Sequence, residues 1–578
     1  MKAQTLPEAF FESAAKYGRK KALLYKKGVV RHYISYSELE KKIRNFAAGL
    51  TDLGVRQGDN LAILSKNCPQ WVIFDLGVML LGAINVPIHS TLSPKIIAYI
   101  LNHSEAKILA VNGVELLNKV LLIQDQLEFL ESIIYIGEEA ADLDNFSKIK
   151  LLRWNEVIAS GKNKELPQVK IKSSDVCSII YTSGTTGLPK GVCLTHDNFL
   201  SDIDAVLKSI AVFSNDLFLS FLPLSHVLER TGGYYVPLLS GSSIAYAEGI
   251  KQLPQNLKEF KPTVLICVPR VLEKFHDSIY DKMKNGSKLI RNLFFYALKQ
   301  NDGSLSLKLL DSIIFSQIRR KLGGNLRLMI SGGASLNLTI AKFFKKIGIK
   351  ILEGYGLTET SPVLAVNTFE NFKLGTVGKP IPGVEIKIDS EHEILARGPM
   401  IMSGYYKNRQ ETEAVIDDSG WFHTGDLGFL DKDGFLTIVG RKKEMMVTSG
   451  GKNIWPEPLE QLLNIDKYIS QSVVIANNRK FVSALIIPDW QEINNYLESK
   501  HLPSKNKEDI VRDLDVIKLF QERINQINSK LPEYEQIKKF HLLTDELSEA
   551  KEELTPTLKL RRQIIEANYK KQIESMYQ

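Results

Sequence analysis

Residues Tyr181 to Val192 read Tyr-Thr-Ser-Gly-Thr-Thr-Gly-Leu-Pro-Lys-Gly-Val and follow the apolar run Val176 to Ile180. The residue types suit a polyphosphate cradle. Gly184 and Gly187 let the backbone turn sharply and aim N–H groups inward, Thr182, Ser183, Thr185 and Thr186 add hydroxyl donors, and Lys190 adds a point charge. The segment departs from the P-loop pattern, because Gly191 follows Lys190 where that pattern places a serine or threonine on magnesium. A metal on the same phosphates must be held elsewhere. A short Gly/Ser/Thr stretch is ordinarily a surface turn, but twelve residues of this kind argue against that reading.

Four later segments carry comparable chemistry. They are Glu353 to Thr360 (Glu-Gly-Tyr-Gly-Leu-Thr-Glu-Thr), Trp421 to Gly428 (Trp-Phe-His-Thr-Gly-Asp-Leu-Gly), Gly440 to Glu444 (Gly-Arg-Lys-Lys-Glu) and Leu554 to Arg562 (Leu-Thr-Pro-Thr-Leu-Lys-Leu-Arg-Arg). With the first loop, and in this order, they resemble the core motifs of the adenylate-forming superfamily, which includes acyl-CoA synthetases, firefly luciferase and peptide-synthetase adenylation domains.

The resemblance implies activation of a carboxylic acid by ATP. A carboxylate is a poor acyl donor until its oxygen leaves as AMP, and that step needs in-line attack, a cradle for pyrophosphate, magnesium and a cation at phosphorus. Glu359, the one carboxylate between Tyr355 and Thr360, is then the magnesium ligand, and Thr358 meets the α-phosphate. Tyr355, beside Gly356, offers adenine a ring face, and Ser331-Gly332-Gly333-Ala334 resembles the opposite wall, with Gly333 and Ala334 against the base. Asp426 accepts from the ribose hydroxyls, and Arg441 shares that contact. Lys443 occupies the hinge position, and Lys559 matches the lysine that bridges the substrate carboxylate and the α-phosphate. Rotation about Lys443 is expected to exchange Lys559 for the loop Ser449-Gly450-Gly451-Lys452, where Gly450 and Gly451 leave room for the pantetheine arm of coenzyme A.

Specificity rests on Phe221 to Arg230, which resembles the segment of long-chain fatty acyl-CoA synthetases. His226 then borders the acyl pocket, unless it is simply a satisfied core histidine, and Thr231-Gly232-Gly233-Tyr234-Tyr235 shapes a tunnel. The expected activity is a long-chain fatty acid–CoA ligase using ATP, Mg2+ and coenzyme A. The alternatives are a fatty acyl-AMP ligase delivering to a carrier protein and a catalytically silent nucleotide-binding scaffold.

These residues need a scaffold of more than one core. At 578 residues the chain exceeds what one core supports, and 44% hydrophobic with 24% charged residues is globular composition. The net charge of +8 fits anionic partners such as nucleotides, coenzyme A or an acidic membrane, and no basic block interleaved with aromatics points to nucleic acid. Four scattered cysteines and no apolar leader point to the cytoplasm, with any membrane contact peripheral and on the inner face.

Apolar spacing predicts a helix over 39–53, strands over 61–64, 106–111, 263–268 and 326–330, and a buried helix leading into a strand over 71–88. Residues 282–319 read as a mostly helical insertion, and the crowded turns of 375–439 as an all-β subdomain. The fold class is therefore α/β. A large domain, residues 1–440, comprises two layered α/β subdomains and a β-rich one, and residues 441–578 form a small mobile α+β domain.

Overall fold

The computed structural model describes residues 2–137, 149–182, 188–301, 304, 307, 310–500, 502, 506–548, 551–555 and 560–578. The chain divides into two compact units, one of residues 1–387, 395–424 and 430–437, the other of 388–394, 425–429 and 438–578. The short returns 388–394 and 425–429 belong to the second unit although they lie inside the β-rich stretch.

Two large sheets build the first unit. In one, Val176–Thr182, Ile84–Ile88, Asn60–Leu64, Ile108–Asn112, Ser132–Ile136 and Lys150–Arg153 run parallel in that spatial order. Lys190–Thr195 pairs antiparallel with Val176–Thr182, and Gly404–Tyr405 pairs antiparallel with Lys190–Thr195. In the other sheet, Lys350–Gly356, Leu328–Ser331, Val264–Cys267, Leu217–Ser220, Ser243–Tyr246 and Lys21–Lys27 are parallel. Antiparallel Val363–Val366 and Val30–Ser35 flank that run. Such strands read as near-continuous apolar runs because helices cover both faces; every residue of Asn60–Leu64 is buried.

The predicted helices and strands are present with shifted ends. The first helix runs Tyr36–Thr51 because Ser35 and Glu38 form a capping box three residues ahead of the first expected apolar position. The apolar stretch from 71 to 88 is helix Pro69–Leu80 followed by strand Ile84–Ile88. The region 375–439 is not a self-contained all-β subdomain. Glu385–Ile388, Glu393–Arg397, Phe422–Leu430 and Leu436–Arg441 do form one sheet, but Lys379–Pro380 and Gly404–Tyr405 join the two large sheets, and Arg409–Glu413 is helical. Turn residues mark where strands end and carry no information about which sheet they enter.

The second unit holds the antiparallel pair Met446–Val447 and Asn453–Ile454 and a three-stranded sheet of Ile469–Ile475, Val482–Pro488 and Ile537–Leu542. Helices Pro456–Asn464 and Leu514–Asn528 share a core with that sheet. Helix Arg562–Asn568 starts with Arg562, whose guanidinium grips buried Glu460 through two bonds of 2.7 and 2.8 Å.

One polar cluster is sealed inside the first unit. Arg230 and Asp75 are both 0% exposed and pair at 2.5 Å. Tyr234 and Tyr235 donate to Asp75 at 3.0 and 2.7 Å, Asn85 donates to it at 2.5 Å, and Arg230 donates to Ser178 at 2.6 Å. Removing one member of a buried ion pair strands the other charge, so Arg230→Met is expected to cost about 3–5 kcal/mol. Chemical denaturation of the first unit measures this loss, and Arg230→Met combined with Asp75→Leu should recover part of it.

Candidate functional site

Two antiparallel strands flank the glycine-rich segment. The strands Val176–Thr182 and Lys190–Thr195 place Thr182 directly opposite Lys190, while Ser183, Gly184, Thr185, Thr186 and Gly187 lie outside the described residues. Gly191 is demanded by packing, since a Cβ there would sit 2.7 Å from the Ile179 side chain. The return strand was not expected from sequence. Sheet pairing with Gly404–Tyr405 supplies what the lysine segment lacks in local signal.

That pairing brings the distant acidic motif to these strands. Glu359 is the middle residue of the turn Thr358–Thr360, which follows strand Lys350–Gly356. Met402 N–H donates to the Glu359 carbonyl at 2.8 Å, and the Tyr405 hydroxyl donates to the Glu359 carboxylate at 2.9 Å. Lys190 Nζ lies 5.4 Å from the centre of the Tyr405 ring and pairs with Glu411 at 2.6 Å. Burial, then the Glu359 charge, hold the Tyr405 hydroxyl well above the usual phenol range, so it stays a neutral donor. Neither Tyr405 nor Glu411 was singled out from sequence. Their trace there is an aromatic pair behind Gly404 and an ordinary acidic helix start.

The donor set suits magnesium of one kind. Among the described residues no group of three His, Cys, Asp or Glu could cage a metal. Half-buried Glu359 offers one hard carboxylate, the protein share magnesium takes when phosphates and water complete its shell.

The candidate adenine walls lie past the carboxyl ends of neighbouring parallel strands, where open α/β sheets bind ligands. Cys267, Ser331 and Glu353 are in register across three strands. Beyond them Gly333 has φ +83° and is exposed, as is Ala334, and Tyr355 stands half-buried opposite Ala365. Gly356 has no alternative, because a Cβ would lie 1.6 Å from the Pro362 carbonyl. Among the described residues the buried Ser331 hydroxyl has no hydrogen-bond partner, an orphan suited to a ligand. Burial pushes the Glu353 carboxyl up to about 7, against a backbone hydrogen bond from Leu336.

In the second unit Asp426, 4% exposed, pairs with Arg441 Nε at 3.0 Å. The two ribose candidates therefore meet. Lys442, rather than Lys443, is the fixed basic residue, held by Glu391 at 2.5 Å and Glu393 at 3.1 Å, which push its ammonium well above the usual range. Lys443 is exposed. Gly450 and Gly451 form the turn between Met446–Val447 and Asn453–Ile454, and Gly451 has φ +74° with open space where a Cβ would be. Lys559 lies outside the described residues; Leu554 and Leu560 pair on either side of that segment, and Arg561 N–H donates to Glu553 at 2.8 Å.

The acyl-segment residues divide by role. His226 is half-buried, and its Nδ1 accepts from Leu228 N–H at 3.2 Å, a local cap. Tyr234 and Tyr235, expected to shape a tunnel, are buried and committed to Asp75. A Cβ at Gly233 would lie 2.5 Å from the Glu229 carboxyl and displace it; burial raises that carboxyl to about 8.

Comparison with known proteins decides the family. Residues 10–406 match the model of the AMP-binding enzyme, and residues 443–578 match the AMP-binding enzyme C-terminal domain. The chain belongs to the AMP-binding enzyme family. This AMP-binding enzyme is 35% identical over 566 residues to a long-chain-fatty-acid–CoA ligase of Mycobacterium bovis, covering 94% of this chain and 92% of the relative. It is 30% identical to a chloroplastic long-chain-fatty-acid–[acyl-carrier-protein] ligase of Arabidopsis thaliana, covering 99% and 87%. Its fold matches the adenylation domain of a Mycobacterium chelonae carboxylate reductase with a TM-score of 0.82 and 20% identity, covering 100% of this chain and 92% of that one.

Tyr405→Phe keeps the ring beside Lys190 and removes the bond to Glu359. A hydrogen bond to a charged group is worth about 1.5–3 kcal/mol, so pyrophosphate exchange by this AMP-binding enzyme is expected to slow at least about tenfold. An unchanged rate would show that Glu359 works without Tyr405.

Proposed function

We propose that this AMP-binding enzyme activates a long-chain fatty acid with ATP and transfers the acyl group to coenzyme A. The carboxylate oxygen attacks the α-phosphorus as the bond to pyrophosphate breaks; the coenzyme A thiol then attacks the acyl carbonyl, and AMP leaves. The observation that carries the reading is convergence on Tyr405, whose ring faces Lys190 after the glycine-rich segment and whose hydroxyl donates to Glu359 of the acidic motif. The acyl class is supported by the Mycobacterium bovis relative.

In this reading Thr182, Ser183, Gly184, Thr185, Thr186, Gly187 and Lys190 hold the phosphates, and Lys190 exchanges Glu411 for pyrophosphate. Glu359 holds Mg2+, which neutralises phosphate charge when bound, and Thr358 donates to the α-phosphate. Gly333, Ala334, Tyr355 and Gly356 bound the adenine, and the fixed Asp426–Arg441 pair receives the ribose hydroxyls. His226 borders the acyl chain. Lys559 stabilises the charge developing between carboxylate and phosphorus, and residues 441–578 turn about Lys443 to bring Gly450 and Gly451 to the thioester step. Placement in the cytoplasm with peripheral membrane contact belongs to the same reading; it is supported by the net charge of +8, and among the described residues no helix is long and apolar enough to cross a membrane.

Transfer to a carrier protein is the second reading, supported by the Arabidopsis relative. Incubation with ATP, magnesium and palmitate, with and without coenzyme A, separates the two. The expected products with coenzyme A are pyrophosphate, AMP and palmitoyl-CoA; pyrophosphate without thioester would favour the carrier-protein ligase, and no turnover on a panel of acids would favour a silent scaffold. Lys559→Ala is expected to abolish adenylate formation while sparing thioester formation from ready-made acyl-AMP, measured as separate half-reactions. Gly451→Trp is expected to do the reverse, because a side chain there fills the turn assigned to pantetheine.

A further inference from the structure

The helical insertion between Val264–Cys267 and Leu328–Ser331 has no part in the chemistry above. Its helix Lys288–Lys299 has a settled inner face, where Phe294 and Ala297 are buried. Phe294 meets Tyr280, Phe315 and Phe343 at ring-centroid distances of 6.1, 6.4 and 6.5 Å. The outer face is not one that water selects. Leu289 is 69% exposed and Tyr296 54%, and their spacing puts them on one side of the helix with Asn292 and Lys299, whereas Ile290 stands at the spacing of buried Phe294 and Ala297. Ile313 is also exposed, in the segment Asp311–Phe315 that Phe294 contacts through Phe315.

Charge surrounds these side chains with one sign. From Lys282 to Lys299, Lys282, Lys284, Lys288, Arg291 and Lys299 are basic and none is acidic; Asp277 and Asp281 precede the run. Lys288 and Lys299 are exposed and Arg291 is half-buried. A single exposed apolar residue needs no explanation, but Leu289 and Tyr296 together on one side of a helix within an all-basic run do. A nucleic acid would use the cations and leave Leu289 in water. An anionic bilayer uses both, taking apolar side chains at the acyl boundary and cations at the headgroups.

We propose that helix Lys288–Lys299 is the surface by which the enzyme docks on an anionic membrane. Leu289 and Tyr296 enter the headgroup layer, and Lys288, Arg291 and Lys299 meet the lipid anions. The proposal deepens the peripheral contact stated above by naming its surface, and it does not depend on the roles given to the catalytic residues. An acid with a long alkyl chain partitions into lipid, so docking brings the enzyme to its substrate.

Co-sedimentation of the full chain with vesicles tests this. One set is phosphatidylcholine alone; in the other about three lipids in ten are phosphatidylserine. The wild type is expected to bind the anionic vesicles at least about tenfold more tightly, since each basic residue near such a surface strengthens binding about fivefold, and added salt should weaken the difference. Leu289→Glu with Tyr296→Glu, and separately Lys288→Glu with Arg291→Glu, should each reduce anionic binding about tenfold or more while turnover of a soluble medium-chain acid without vesicles stays at the wild-type level. That turnover shows the variants are folded. Wild-type protein that binds neither vesicle set, or that binds single-stranded RNA instead, overturns the membrane contact itself. Wild-type binding retained by both folded variants overturns only the assignment of this helix.

Discussion

The desolvated Asp75–Arg230 pair is the constraint from which the rest of the larger unit follows. Asp75 sits on helix Pro69–Leu80, Ser178 on the strand that leads into the glycine-rich segment, and Arg230 on the turn Glu229–Tyr235 between the strands Leu217–Ser220 and Ser243–Tyr246. A charge with no water must satisfy every lone pair and proton locally, so these elements can adopt one mutual arrangement. Trp71, Phe199 and Tyr235 lie within 5.6 Å of the guanidinium and close the cage with ring faces. The strand leading to the glycine-rich segment and the segment Phe221 to Arg230 are thereby set against each other.

Above that base the site is built by strand exchange between sequence-distant pieces. Gly404–Tyr405 adds to the edge of the sheet that carries Lys190, and the same short piece reaches Glu359 through Met402 N–H and the Tyr405 hydroxyl. Tyr405 can serve a carboxylate and a cation together because its hydroxyl donates while its ring face is electron-rich. The lysine rests on Glu411, a partner of a phosphate's charge sign, so its side chain is held by an ion pair. Preorganisation of this sort lowers the cost of ordering a long side chain on binding.

The strands and helices were legible because burial on both faces writes continuous apolar runs, and capping residues write their starts. Limits of a few residues were not, since Ser35 and Glu38 extend the first long helix by hydrogen bonds that apolar spacing ignores. The β-rich stretch does hold a four-stranded sheet of its own, but two short strands leave it for a similar reason. Gly404–Tyr405 and Lys379–Pro380 are two-residue strands whose sheet is chosen by partners far away in sequence. The expected tunnel tyrosines, Tyr234 and Tyr235, look amphipathic in sequence, and the buried carboxylate that claims their hydroxyls lies about 160 residues earlier.

By itself the sequence determined the chemistry on offer: a hydroxyl- and glycine-rich loop ending in Lys190, a carboxylate at Glu359, an aspartate at Asp426 and the basic run Arg441 to Lys443, in an order that marks an AMP-binding enzyme. Such motifs are local, and their residue types follow from what phosphates, ribose and metal demand at short range. Only the tertiary structure decided that Tyr405 joins Glu359 to Lys190, that Lys442 rather than its neighbour is fixed, that Arg562 grips Glu460, and that Asp75 is the partner of Arg230. Those are contacts between charges brought together by sheet pairing and burial, and no spacing along the chain encodes which distant partner a desolvated group will find.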